Sequence, residues 1–146
     1  MSIPLISILT ATYNSSHLLK HAIQSVINSD YGNWELIVVG DCCTDDTEEV
    51  VKSFSDPRIS FFNLEKNSGQ QATPNNFGMQ KAKGEYLAFL NQDDLFFPDH
   101  LTNSVEEIQK SNADFLIVPG IKVLSSKKED FDQGRFKVQL CSVHPD

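Results

Sequence analysis

Short apolar runs that end in polar turns, each followed by a stretch of helical period, leave this chain few folds to adopt. The run Leu5-Ile6-Ser7-Ile8-Leu9-Thr10-Ala11 is β-branched and continuous rather than alternating, the mark of a strand buried on both faces. Asn14-Ser15-Ser16 breaks it. Leu19, Ala22, Ile23, Val26 and Ile27 then recur at spacings of three and four, with Ser15 or Ser16 placed to cap a helix. The same unit returns at Trp34-Glu35-Leu36-Ile37-Val38-Val39, followed by Thr44-Asp45-Asp46-Thr47, which opens a helix carrying Val50, Val51 and Phe54. A third strand is expected at 59–64, then a helix opening at Thr73-Pro74 and weakened by Gly78. Glu85-Tyr86-Leu87-Ala88-Phe89-Leu90 reads as the fourth strand, followed by a helix over 98–111 with Leu101, Val105 and Ile108 on one face. A fifth strand is expected at 114–118 and a further one at 136–141, beyond the charged connector Ser125-Ser126-Lys127-Lys128-Glu129-Asp130. The alternation predicts an α/β fold: a mostly parallel sheet with helices on both faces and right-handed crossovers.

Length and composition set the outer bounds. A chain of 146 residues with 40% hydrophobic and 22% charged residues is one soluble domain by size and content. A net charge of −8 with no basic cluster beyond Lys127-Lys128 argues against a nucleic-acid partner. No apolar stretch is long enough for a membrane span, and the first residues carry no basic segment ahead of an apolar one, so the expected location is cytoplasmic. Three cysteines, two of them adjacent at Cys42-Cys43, make neither a disulfide framework nor a zinc site and read as reduced thiols.

Ligands of open parallel sheets bind beyond the carboxyl ends of the strands, so the chemistry is sought at Thr12-Tyr13-Asn14, at Asp41 and at Asn91-Gln92-Asp93-Asp94. The paired carboxylates of Asp93 and Asp94 suit a hard divalent cation bridging to phosphate, while N-capping of the next helix is the alternative reading. Asp41 is placed to accept from a pyrimidine imide or a ribose hydroxyl, or is simply a loop acid. Tyr13 offers a face to a flat base or packs on the following helix. The glycines match neither the Walker pattern nor the dinucleotide fingerprint. His17, His21, His100 and His144 stand beside no nucleophile, and Cys42 has no identifiable partner base.

Three segments in order, 6–14, 34–41 and 84–94, together with Asn67-Ser68-Gly69 and Asn76-Phe77-Gly78, resemble the family 2 glycosyltransferases from about Pro4 to Leu101. The resemblance implies a GT-A fold that binds a nucleoside-diphosphate sugar, with a UDP-sugar favoured. It also implies transfer of the sugar with inversion to a carbohydrate or lipid-linked acceptor, assisted by Mg²⁺ or Mn²⁺. On the matched positions, Asp93 would ligate the metal. Thr12, Tyr13 and Asn14 would border the nucleoside, Asp41 would hold the base or ribose, and Asn75, Asn91, Gln92 and Asp94 would line the sugar and metal shell.

The sequence departs from the family pattern at four places. Gly40 stands for a usual aspartate, Cys42-Cys43 for Gly-Ser, Asn75 for arginine and Asn91 for the first acid of the metal motif. An asparagine still presents a carbonyl, so Asn91 lowers the negative charge without abolishing a site. Inverting transfer needs a general base, which the resemblance places beyond Asp146; His144 and Asp146 are poor substitutes. Residues 1–146 are therefore expected to be a single donor-binding domain of a longer enzyme, with its core in 1–120 and the start of the acceptor side in 121–146. The competing reading is a non-catalytic nucleotide-sugar-binding module of the same fold. A receiver-like domain using Lys122 fits the adjoining motifs poorly.

Overall fold

The computed structural model describes residues 3–124 and 137–141, which fall into two compact units, one ending at Asn103 and one starting at Ser104. The first unit contains β1 (Ile6–Thr12), α1 (Ser16–Ile27), β2 (Trp34–Gly40), α2 (Thr47–Ser53), β3 (Ile59–Asn63), α3 (Ala72–Lys81) and β4 (Tyr86–Phe89), and α4 (His100–Ser111) begins in it. Its strands are all parallel, in the order β3-β2-β1-β4. In register, Ile6 lies beside Trp34 and Tyr86, and Thr12 beside Gly40, which in turn lies beside Asn63.

Every residue of β1 is buried, as its unbroken apolar run requires of a strand with neighbours on both edges and helices on both faces. The chain steps from β1 to β2 to β3 in one direction and then returns past β1 to β4. With right-handed crossovers, that reversal puts α1 and α2 over one face and α3 over the other. The contacts agree: α1 meets α2, and α3 lies on β1 and β2. Leu9, Ile37 and Val39 form the core on the α3 side, packed by Phe62, Leu64, Phe77 and Ala82. The alternate residues Ile8, Leu36 and Val38 point to the opposite face, and α1 buries Leu19, Ala22, Ile23 and Val26.

Two glycines set close approaches. Gly78 has a role the helix propensity scale does not show, because a Cβ there would sit 3.3 Å from Leu9 Cδ2 and 3.5 Å from Val39 Cγ2. Its missing side chain lets α3 lie against the sheet. At the amino ends of the strands, Gly84 passes so close to β1 that a Cβ would stand 2.5 Å from the Ser7 nitrogen. Buried Ser7 Oγ is satisfied there: it donates to Glu35 Oε1 at 2.6 Å and accepts from the Gly84 N–H at 2.8 Å.

The second unit corrects one expectation. Residues 113–119 form no strand; the strand lies after them, as β5 (Gly120–Leu124), which pairs antiparallel with β6 (Lys137–Cys141), Gly120 opposite Cys141. The apolar run at 114–118 carries the composition of a strand, yet Phe115, Ile117 and Val118 are exposed. A strand is fixed by its pairing partner rather than by composition, and β6 pairs with the residues that follow Val118. The connector at 125–130, Phe136, His144 and Asp146 lie outside the described residues. Among the described residues no helix is long and apolar enough to cross a membrane.

Candidate functional site

The strand order reverses between β1 and β4, which places the crevice of this sheet at the carboxyl ends of those two strands. A cleft of about 270 Å³ opens there. Its walls are Ala11, Thr12 and Tyr13 from β1 and the turn after it, Asp41 after β2, Gln92 after β4, and Asn67, Gly69, Gln70, Gln71 and Pro74 between β3 and the first turn of α3. That volume falls just below the range of about 300–1,000 Å³ usual for small-molecule sites, a size for a nucleoside rather than a whole nucleotide sugar. Thr12, Tyr13, Asp41 and Gln92 line it; Asn14, Asn75, Asn91, Asp93 and Asp94 do not.

Asp41 is 5% exposed and its charge is met within the chain. Its carboxylate accepts from the Ser68 N–H at 3.0 Å, from Ser68 Oγ at 3.0 Å and from the Gly69 N–H at 3.1 Å. Asn67 Nδ2 adds a bond to the Asp41 carbonyl at 3.0 Å. Gly69 has φ +70, the left-handed conformation that lets successive N–H groups converge on one anion. Asp41 thus holds the 67–69 turn as a wall of the cleft, and one acceptor direction, on Oδ1, remains for a ligand. The sequence signal for this wall was Asn67-Ser68-Gly69, a turn pattern at a strand end; its partner 26 residues earlier was not readable.

Gly40 and Asn63 explain one departure from the family pattern. A Cβ at position 40 would fall 2.6 Å from Asn63 Oδ1 and 3.0 Å from Cys43 Sγ. Asn63 occupies that space because it clasps the turn after β2: Oδ1 accepts from the Cys43 N–H at 2.8 Å and Nδ2 donates to the Cys43 carbonyl at 2.9 Å. Cys42 sits in the left-handed region at φ +65, where the family pattern has glycine. Asn14, at φ +44, spends its amide on Thr44, accepting from its N–H at 2.8 Å and donating to its Oγ1 at 3.3 Å. Nearby, burial would raise the Asp45 carboxyl, but hydrogen bonds from Thr47 and Ser16 outweigh it and hold that group below the ordinary carboxylate value. These contacts fix the turns after β1 and β2 against each other.

The acidic turn after β4 divides its side chains between structure and chemistry. Gln92 Oε1 accepts from Thr12 Oγ1 at 2.7 Å and from the Tyr13 N–H at 3.1 Å, which ties the ends of β4 and β1 together. Asn91 Nδ2 donates to Asp94 Oδ2 at 2.8 Å, and the Asp94 N–H returns to the Asn91 carbonyl at 3.2 Å. The turn is held on its far side by the Phe96 N–H bonding buried Ser25 Oγ at 3.1 Å and by Phe96 stacking on His100, ring centroids 4.2 Å apart. Asp30, Asp41, Asp45, Asp46, Asp56, Asp94 and Asp99 each accept a side-chain or backbone hydrogen bond. Asp93 accepts none from the described residues, and it is exposed. No group of three or more His, Cys, Asp or Glu able to hold a metal occurs among the described residues. The Asp93 carboxylate and the Asn91 side-chain amide oxygen are oxygen donors of the type a hard cation takes.

Comparison with known proteins adds an independent line. Residues 7–141 match the profile of Glycosyl transferase family 2. TuaG of Bacillus subtilis strain 168, a glycosyltransferase whose name assigns it to teichuronic acid biosynthesis, is 34% identical over 114 residues, 77% of this chain and 45% of its own length. The Escherichia coli protein WfgD, a UDP-Glc:alpha-D-GlcNAc-diphosphoundecaprenol beta-1,3-glucosyltransferase, is 35% identical over 112 residues, 77% of this chain and 44% of its own. Among solved structures, S. aureus TarS 1-349 in complex with UDP-GlcNAc superposes with a TM-score of 0.72 at 28% identity, over 75% of this chain and 32% of that one. The chain therefore spans less than half the length of these relatives.

Proposed function

The chain belongs to glycosyl transferase family 2, and on that premise we propose that its cleft binds the nucleoside diphosphate of a nucleotide sugar, a UDP-sugar foremost. The complete protein would then transfer the sugar with inversion to a hydroxyl of a carbohydrate or lipid-linked acceptor in polysaccharide biosynthesis. The observation that carries the reading is the pairing at the end of β4: Gln92 lines the cleft, and the next residue, Asp93, has the one aspartate carboxylate up to Asp99 that accepts no hydrogen bond from the described residues. WfgD is named for UDP-Glc and TarS is seen with UDP-GlcNAc, which supports a uridine donor here.

Each residue has a part in this reading. Ala11 and Pro74 give the cleft an apolar floor, and Tyr13, half exposed, presents a ring for a base. The remaining direction on Asp41 Oδ1 takes an imide or ribose donor. Asp93, with the side-chain amide oxygen of Asn91, would hold Mg²⁺ or Mn²⁺, which would neutralise charge on the departing diphosphate. Asp94 accepts from Asn91 Nδ2, which fixes the orientation of that amide. A cytoplasmic location accords with the unpaired thiols of Cys42 and Cys43.

Melting of the chain with UDP-GlcNAc, UDP-glucose and GDP-mannose, each with and without Mn²⁺, tests the reading. A ligand at a hundred times its Kd stabilises by about 2.7 kcal/mol, which raises Tm by several degrees in a chain of this size. A rise with a uridine donor and Mn²⁺ is expected. No rise with any nucleotide sugar would contradict it.

A further inference from the structure

We propose that His17 and His21, four residues apart on the outer face of α1, bind one borderline divalent cation of the Ni²⁺, Cu²⁺ or Zn²⁺ class. The inference does not depend on the nucleotide-sugar reading of the cleft. α1 buries Ser16, Leu19, Ala22, Ile23, Ser25 and Val26, which leaves His17, Lys20, His21 and Gln24 on its exposed side. Residues four apart on a helix stand one above the other, about 5–6 Å between Cβ atoms. Two imidazoles at that spacing can meet one ion about 2.0–2.1 Å from each ring nitrogen, the arrangement by which helical histidine pairs hold zinc. Neither ring makes a hydrogen bond, ion pair or ring contact with a described residue, so the nitrogens are uncommitted. No third His, Cys, Asp or Glu joins a metal-holding group among the described residues, and water would complete the ion's shell.

A cation at the first two turns of a helix meets the positive end of the macrodipole, equivalent to about half an elementary charge. Here acids cover that end. The Ser16 N–H donates to Asp45 Oδ2 at 3.2 Å and the Ser16 hydroxyl to Asp46 Oδ1. Glu48 and Glu49 stand exposed in the first turn of α2, which packs on α1. Two carboxylates bonded to the residue before His17 outweigh the half charge of the dipole, so the local field favours a cation. Ligand type then selects the ion: imidazole suits Ni²⁺, Cu²⁺ and Zn²⁺, whereas Mg²⁺ and Mn²⁺ prefer carboxylate, carbonyl and water oxygens. The nitrogen pair on α1 and the oxygen donors after β4 therefore address different ions.

Thermal melting of the chain in excess Ni²⁺ and in EDTA, without nucleotide, reads the site by linkage. Ni²⁺ should raise the Tm of the wild type by at least about 2 °C. His17→Ala and His21→Ala change exposed positions and should fold, and each should lose that rise. The double variant should lose no more than either single one, because half a chelate does not hold the ion. His21→Ala combined with Gln24→His keeps the number of histidines but sets the pair seven residues apart, about 10.5 Å along the axis, and should not recover the rise. Acidification should remove it in the wild type, since a protonated imidazole cannot ligate. A rise that persists in either single variant, or that Gln24→His restores, would place the ion elsewhere and overturn the assignment. No rise in the wild type overturns it as well.

Discussion

Gly40→Ala should destabilise the wild-type chain by more than it destabilises a chain that already carries Asn63→Ala. The new Cβ would stand 2.6 Å from Asn63 Oδ1 and 3.0 Å from Cys43 Sγ, inside contact distance. The side-chain end of Asn63 can move, yet moving breaks its two bonds to Cys43, at 2.8 and 2.9 Å. Exposed hydrogen bonds lie at the low end of about 0.5–1.5 kcal/mol each, so their loss costs about 1–2 kcal/mol. Replacing a strand glycine returns about 0.5–1 kcal/mol of backbone entropy. The net cost of Gly40→Ala is then about 1 kcal/mol, and Asn63→Ala alone costs about 1–2 kcal/mol. Once Asn63 is truncated the nearest obstruction is gone and only Cys43 Sγ at 3.0 Å and Phe61 Cζ at 3.3 Å must give, so the same Gly40→Ala change should be close to neutral. Urea denaturation of the four chains, with midpoints compared at a common m, measures the cycle. Additivity within about 0.5 kcal/mol, with Gly40→Ala as unfavourable in the Asn63→Ala background as in the wild type, would refute the reasoning. The same geometry accounts for the absence of the family's usual aspartate at position 40: its carboxylate would point into the Asn63 clasp.

Gly84→Ala should be costly wherever the chain is assayed, because its Cβ would meet the Ser7 nitrogen at 2.5 Å and the Leu5 carbonyl at 2.8 Å, backbone atoms of and beside the central strand. A loss of more than about 2 kcal/mol is expected from such overpacking, or about 4–8 °C in Tm by thermal melting; a shift under 1 °C would contradict it. His100 predicts an acid-side effect. Burial pushes its imidazole below 6.5, only partly opposed by Asp99. Its folded state therefore binds fewer protons than its unfolded state, so the stability it contributes is full above about pH 6.5 and is lost as pH falls below that. His100→Phe, which keeps an aromatic ring beside Phe96, should flatten the decline of Tm between pH 7 and pH 5; an unchanged slope would show that His100 does not carry it.

What could be read from the residues follows the range of the interactions. The buried strands were legible because continuous β-branched runs arise from burial on both faces, and β1 to β3 fall within a residue or so of expectation. The strand order followed only from contacts between distant segments, and so did the failure of 114–118 to be a strand. Ser15 shows the limit at short range: it was placed to cap α1, yet its hydroxyl donates to the Tyr13 carbonyl instead. At the site, residue type disclosed which groups carry polar atoms but not which partners consume them. Asn14 and Asp94 stand at strand ends as ligand-binding residues would, and both bond within the chain. Asp93 was set apart from its neighbours only by the family resemblance and Gln92 not at all, whereas in the structure the clamp on Oε1 and the uncommitted carboxylate separate them.

Calorimetric titration of the chain with UDP, with and without Mn²⁺, repeated on Asp93→Ala, tests most directly whether the acidic turn after β4 is a metal-assisted nucleotide site. Mn²⁺ should strengthen UDP binding in the wild type, and Asp93→Ala should abolish that increment while leaving metal-free binding within about twofold, since Asp93 accepts no bond that shapes the turn. A metal-dependent increment that survives in Asp93→Ala, or UDP binding indifferent to Mn²⁺ in the wild type, would contradict the assignment.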